Sequence, residues 1–151
     1  MIEELQNTLH IDADDVPWVT YERAGVVSSR RMLQVRPDEN LAVTQLRCDP
    51  GVVGALHRHH GPVFALTQSG AWGHDTSFLY HPGTYVYETP GVVHRFLSGP
   101  EPVTATFISI GNIDIFDDAG DLVSCYTPSG MLAAYFEACE AQGLPRPNVL
   151  E

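Results

Sequence analysis

Leu56-His57-Arg58-His59-His60 decides how this chain is read. His57 and His59 are two residues apart. In a β-strand residues i and i+2 face the same way, so both imidazoles project to one side. His94, thirty-five residues after His59, ends a second stretch, Pro90-Gly91-Val92-Val93-His94. If strands bring the two stretches together, three histidines converge. Three neutral imidazoles make a site for a first-row divalent ion. A lone H-x-H is more often a solvated strand face; the glycines around it and the second histidine stretch shift the balance here.

Outward from that stretch the pattern is β-like in both directions. Val63 to Gln68, Ala71 to Gly73, Ser77 to Tyr80, Thr84 to Glu88, His94 to Leu97 and Val103 to Ile110 read as short strands. Gly61-Pro62, Ser69-Gly70, His81-Pro82-Gly83, Pro90-Gly91 and Gly99-Pro100 separate them as turns. Before His57, Gly25 to Val35 and Leu41 to Arg47 are rich in β formers, divided by Pro37-Asp38-Glu39-Asn40. After Ile110, Ile113 to Phe116 and Leu122-Val123 flank an acidic turn and read as a hairpin. Many short strands at this spacing predict an all-β sandwich or barrel. Met131, Leu132, Tyr135, Phe136 and Cys139 alone show helical spacing, with Ser129 as an N-cap and Gly143 as a stop. Residues 1–16 read as a helical or irregular lead-in, and Trp18 as an anchor on the domain or on a neighbouring subunit.

Composition sets limits. A length of 151 residues with 44% hydrophobic and 18% charged residues describes one globular domain. The net charge of -11, with 8 Lys and Arg, repels phosphate backbones and excludes nucleic acid as a partner. No apolar run approaches the roughly 18 residues of a membrane span. The acidic start MIEELQNTLHIDADD is unlike a secretory signal, so a cytoplasmic location is expected. Cys48, Cys125 and Cys139 are odd in number and form no C-x-x-C pair, which speaks against a disulfide framework or a thiolate zinc cage.

Two ordered motifs carry a family resemblance. Gly51, five residues, His57-Arg58-His59, and later Gly70 match the first signature of the cupin superfamily. Gly83, five residues, Thr89-Pro90-Gly91, two residues and His94 match the second. The resemblance covers roughly residues 41–110. Two positions depart from it: Val63 (or Phe64) stands where the family has a glutamate ligand, and Thr89 stands for a proline that comes one residue later, at Pro90. The implied fold is a single cupin domain over residues 1–151, a double-stranded β-helix or jelly-roll barrel with a short C-terminal helix. Its parts would be an N-terminal arm at 1–20, a metal-binding core at 41–110 and the helix at 129–143.

The wording around the motifs is similar to 2,4'-dihydroxyacetophenone dioxygenase and to acetylacetone-cleaving dioxygenase, which are three-histidine cupins. The resemblance implies His57, His59 and His94 as ligands of Fe(II). Zn, Mn, Ni or Cu would also suit imidazole ligands. It implies cleavage of a C–C bond beside a carbonyl in a small, aromatic hydroxyketone or β-diketone, with dioxygen as co-substrate, in a homodimer or homotetramer. Two other readings stay open: a non-redox metal enzyme (an isomerase, cyclase or hydrolase), and a non-catalytic metal cupin that senses a small ligand, like the cupin domain of some anti-sigma factors. A length of 151 residues leaves little room for a partner-binding domain beside such a sensor. Glu88, six residues before His94, is a candidate group holding a ligand histidine or water; a solvated strand end is the competing reading. Val63, Phe96 and Phe107 are candidate substrate walls, with core packing as the alternative. His10, His60, His74 and His81 lie at turns or outside the motifs and are expected in solvent.

Overall fold

The computed structural model describes residues 8–151. Strands β1 (Val19–Arg23), β2 (Val26–Arg36), β3 (Leu41–Cys48), β4 (Leu56–His59), β5 (Val63–Ser69) and β6 (Trp72–Gly73) form the first half. Strands β7 (Tyr85–Glu88), β8 (Val93–His94), β9 (Leu97–Ser98), β10 (Val103–Ile110), β11 (Ile113–Phe116) and β12 (Leu122–Tyr126) follow. One helix, α1 (Pro128–Ala141), ends the regular structure. The strands make a six-stranded sheet in the order β1-β2-β3-β10-β5-β7 and a four-stranded sheet in the order β12-β11-β4-β8. A short β6-β9 pair completes the set, and all named pairs are antiparallel. The two larger sheets face one another across a cavity, because β3, β5, β7 and β10 line it from one side and β4 and β11 from the other. This is the all-β jelly-roll barrel expected from the strand spacing.

Alternation explains the sheet faces. Along β5, Val63, Ala65 and Thr67 are buried while Leu66 and Gln68 are exposed. Along β7, Val86 and Glu88 point in while Tyr85 and Tyr87 point out. An inward carboxylate at the end of such a strand needs a partner, since an unpaired buried charge is costly. Two apolar clusters fill the fold. One gathers Trp72, Phe96, Ala65, Val86, Val103 and Ala105 inside the barrel. The other packs Leu132, Tyr135 and Cys139 of α1 on Val19, Met32, Val35 and Ala42. The Tyr135 hydroxyl donates to the Pro17 carbonyl at 2.6 Å, tying the helix to the chain entry. Trp18 anchors on its own sheet, with the Arg31 and Arg47 guanidinium carbons 4.4 and 4.6 Å from its ring centroid.

Several local expectations change. The helix is capped by Thr127 rather than Ser129, its hydroxyl accepting from the Gly130 N–H at 3.0 Å. Ser77 to Tyr80 form no strand; Asp75 draws the Ser77 N–H back at 2.7 Å, and Tyr80 makes a single bridge to Trp72. His94 to Leu97 is two strands, not one, broken at Arg95 and Phe96. There the Phe96 ring turns inward and stacks on Trp72, centroids 5.3 Å apart at 16°. Part of the lead-in expected over residues 1–16 lies outside the described residues; within them Ala13–Asp15 make one 3-10 turn capped by Asp12. Among the described residues no helix is long and apolar enough to cross a membrane.

Gly61 sets the passage from β4 to β5. A Cβ on it would lie 1.9 Å from the Ile110 carbonyl oxygen, a backbone atom that cannot rotate away. Gly61→Ala is therefore expected to destabilise the fold by at least about 2 kcal/mol. At this chain length that lowers the melting temperature by about 4 °C or more. Thermal unfolding followed by circular dichroism checks this, and an unchanged midpoint would show that β4 and β5 can part without cost.

Candidate metal centre

The H-x-H parity works as strand geometry requires. His57 and His59 lie on β4 and point into the barrel, and His57 is the direct register partner of His94 on β8. The three rings gather with centroids 5.0 Å (His57–His59), 4.7 Å (His57–His94) and 5.9 Å (His59–His94) apart. One ligand nitrogen from each lies within 4.8 Å of the others. The Nδ1–H of His57 donates to the Ala55 carbonyl at 3.0 Å, which leaves Nε2 with its lone pair free.

Glu88 completes the cluster. It is the register partner of Val63 across β5 and β7. The carboxylate absent at position 63 thus enters from the neighbouring strand, on the same row. Glu88 Oε2 lies 3.5 Å from His59 Nε2 and 3.5 Å from His94 Nε2. Both Glu88 Oε2 and His94 Nε2 are buried and find no hydrogen-bond partner among the described residues. Lone pairs facing one another in this way are unfavourable unless a cation lies between them. Ligands about 2.1 Å from one ion sit about 3.0–3.4 Å apart at octahedral or tetrahedral angles, within the 4.8 Å that bounds the three ligand nitrogens. The residues therefore fit a divalent metal held by His57, His59 and His94, with the Glu88 carboxylate beside it.

The protonation states agree. Burial pushes His59 and His94 down to about 4, and burial is also the main cause of the lowered His57 value. All three are neutral near pH 7, as metal ligation requires. Burial would raise Glu88, but the hydrogen bond from His74 and the neighbouring imidazoles outweigh it and hold the carboxyl below its usual range.

His74 is the residue that sequence reasoning missed. It was expected in solvent, yet it is half-buried at the end of β6 and reaches the centre. Its ring stacks on His94, centroids 4.0 Å apart at 8°. Nε2 lies 3.2 Å from Glu88 Oε1, and Nδ1 lies 3.3 Å from the Arg95 carbonyl. A carbonyl and a carboxylate can only accept, so both ring nitrogens carry protons: His74 and Glu88 form an imidazolium–carboxylate pair. Burial opposes that charge, but the Glu88 bond and charge prevail and His74 is raised. The signal in the sequence was faint, a single histidine after Trp72-Gly73 in a two-residue strand.

The cavity in front of these groups measures about 190 Å³. Val63, Phe96 and Phe107 all line it, together with Trp72, Leu46 and Ile113. Phe96 and Phe107 also pack against Trp72 in the barrel core, so wall and core are the same residues here. His60 lies on the other face, its Nε2 2.9 Å from Asp114 Oδ2.

Each of His57→Ala, His59→Ala and His94→Ala should lower bound metal at least tenfold while the melting curve stays cooperative, since the apolar clusters lie elsewhere. Elemental analysis of the purified variants measures this. A variant with full occupancy would remove its histidine from the ligand set.

The ChrR Cupin-like domain family model matches residues 6–114. No curated protein matches the sequence. Among solved structures, an RmlC-like cupin protein from Ralstonia eutropha JMP134 superposes with a TM-score of 0.81 at 24% identity, covering 98% of this chain and 96% of that one. The acetylacetone dioxygenase of Acinetobacter johnsonii gives 0.74 at 17% identity, with 88% and 93% covered. The polyketide cyclase RemF of Streptomyces resistomycificus gives 0.54 at 16%, with 80% and 84% covered. At these identities the likeness is one of fold. Since its model spans most of the barrel, the chain belongs to the ChrR cupin-like domain family.

Proposed function

We propose that this protein is a metal-dependent enzyme that cleaves the C–C bond beside a carbonyl in a small, enolisable hydroxyketone or β-diketone, using Fe(II) and dioxygen. The observation that carries the reading is the cluster itself: three neutral imidazoles and one buried carboxylate facing a small apolar cavity. The likeness to the acetylacetone dioxygenase fold supports it.

The bound metal would supply Lewis acidity toward the ketone oxygen and redox chemistry toward dioxygen. The chain's own residues do the rest. His57, His59 and His94 would hold the ion beside the cavity that would receive the substrate. Phe96, Phe107 and Trp72 exclude water and press a small ketone into one orientation, which is the larger share of what a site without cofactor can contribute. Glu88 Oε2 takes the acidic α-proton and leaves the substrate as an enolate. His74, bonded to the other oxygen, keeps Glu88 ionised before that step. The reaction balances without a reductant: the substrate provides all four electrons to one dioxygen, and the bond between a carbonyl carbon and its α-carbon breaks, each carbon gaining one oxygen atom, to give two acids from a hydroxyketone, or an acid and a dicarbonyl from a β-diketone.

The same proton-handling pair would also serve a non-redox isomerase or cyclase, and the fold likeness to a polyketide cyclase supports that second reading. Labelled dioxygen separates the two. With iron-loaded protein and acetylacetone or a hydroxyacetophenone, one labelled oxygen should enter each cleavage product. Turnover without oxygen, or equally well with zinc, would favour the cyclase reading.

Glu88→Gln isolates the base. Turnover should fall about 10²–10⁴-fold while bound iron stays within twofold of wild type. Loss of the iron itself would make Glu88 a ligand rather than a base.

A further inference from the structure

Arg30 is a cation built into the wall of the metal cavity. It lies on β2, where its register partner Leu46 on β3 lines the same space. No other arginine or lysine lines that cavity among the described residues. Its Nη2 donates to the Tyr21 hydroxyl at 3.2 Å, and its guanidinium carbon sits 5.6 Å from the Tyr21 ring centroid. One tip of the guanidinium is thus held by Tyr21 on the exposed side of the strand. Its Nε is buried and finds no acceptor among the described residues. A buried guanidinium N–H without an acceptor is unfavourable, and a group that costs stability in the free protein and faces a ligand cavity is suited to a ligand.

The chemistry of the acceptor follows from the fork. Guanidinium presents parallel N–H donors that match a planar carboxylate in two bonds. Glu88 does not fill this role, because β2 and β7 are separated by β3, β10 and β5 in the sheet. The two charges lie on different sides of the cavity, with the apolar side chains of β3, β5 and β10 between them. A substrate spanning the space would therefore meet the metal ligands and Glu88 at one end and Arg30 at the other.

We propose that Arg30 binds a carboxylate on the substrate, which narrows the substrate class to small enolisable ketones that carry an acid group away from the chelating oxygens. This rests on the substrate class given above but not on the reaction assigned to it.

Two stable chelators of one skeleton test it. Kojic acid and comenate share a hydroxyketone pair on the same ring; comenate has a carboxylate where kojic acid has a hydroxymethyl group. Binding to the zinc-loaded protein is measured by calorimetry and corrected for each compound's affinity for free zinc. Wild type should bind comenate at least tenfold more tightly than kojic acid. Arg30→Gln should bring the ratio within twofold while zinc content and kojic acid affinity hold, and Arg30→Lys should give an intermediate ratio. A wild-type ratio within twofold overturns the assignment without any variant, and so does an Arg30→Gln protein that keeps the preference. If the preference holds but labelled oxygen never reaches product, the dioxygenase reading fails and the assignment of Arg30 stands.

Discussion

The antiparallel pairing of β4 with β8 is the constraint on which the rest of the centre depends. It sets His57 opposite His94 and leaves His59 two residues along on the same face. A slip of one residue would turn His94 to the outside of the barrel. Yet β8 is two residues long, too short to hold its own register. The register is held from outside the pair. Gly91 N–H donates to the His59 carbonyl at 2.8 Å, and Gly54 N–H donates to the Phe96 carbonyl at 2.8 Å. Gly91 has a φ of 84°, a conformation that other residues rarely adopt, which gives the second motif's glycine a physical reason. Gly54 lies against Phe96, where a Cβ would stand 3.3 Å from its carbonyl oxygen. The glycines near the histidines are thus close backbone approaches that fix where the imidazoles meet.

The H-x-H pair, the second histidine and the all-β class were legible because they follow a period of two or a fixed spacing. Glu88 was half legible: its parity with Val86 pointed inward, but its register partner Val63 could not be read from one strand alone. His74 was not legible, since β6 has two residues and no period at all. Arg30 failed for another reason. β2 is covered on both faces, by the barrel and by the chain entry with α1, so Arg31 and its neighbour Met32 are both buried and alternation breaks down along the strand. The strand β1 was hidden in the same way, because one buried residue, Val19, precedes four exposed ones. Ser77 to Tyr80 look like a strand by composition, and the Asp75 turn overrides that propensity.

The charge balance of the cavity follows from these placements. Three imidazoles are held neutral by burial, so they bring no charge to the ion. Glu88 brings one negative charge, but His74, bonded at 3.2 Å, brings one positive charge beside it. A divalent ion at the centre would therefore keep close to its full charge in surroundings lined by Phe96, Phe107 and Trp72. In such a low-dielectric space an uncompensated charge is strongly unfavourable, and an anionic oxygen from the substrate is the natural complement. An enolate supplies it, and a neutral ketone does so only after losing a proton. In the proposed reaction Glu88, buried and ionised, would convert the one into the other. A bound ion's charge would stabilise that enolate, and the apolar walls would make the stabilisation large. Removing a wall would weaken the electrostatics as surely as removing a ligand, because water admitted to the cavity would screen both.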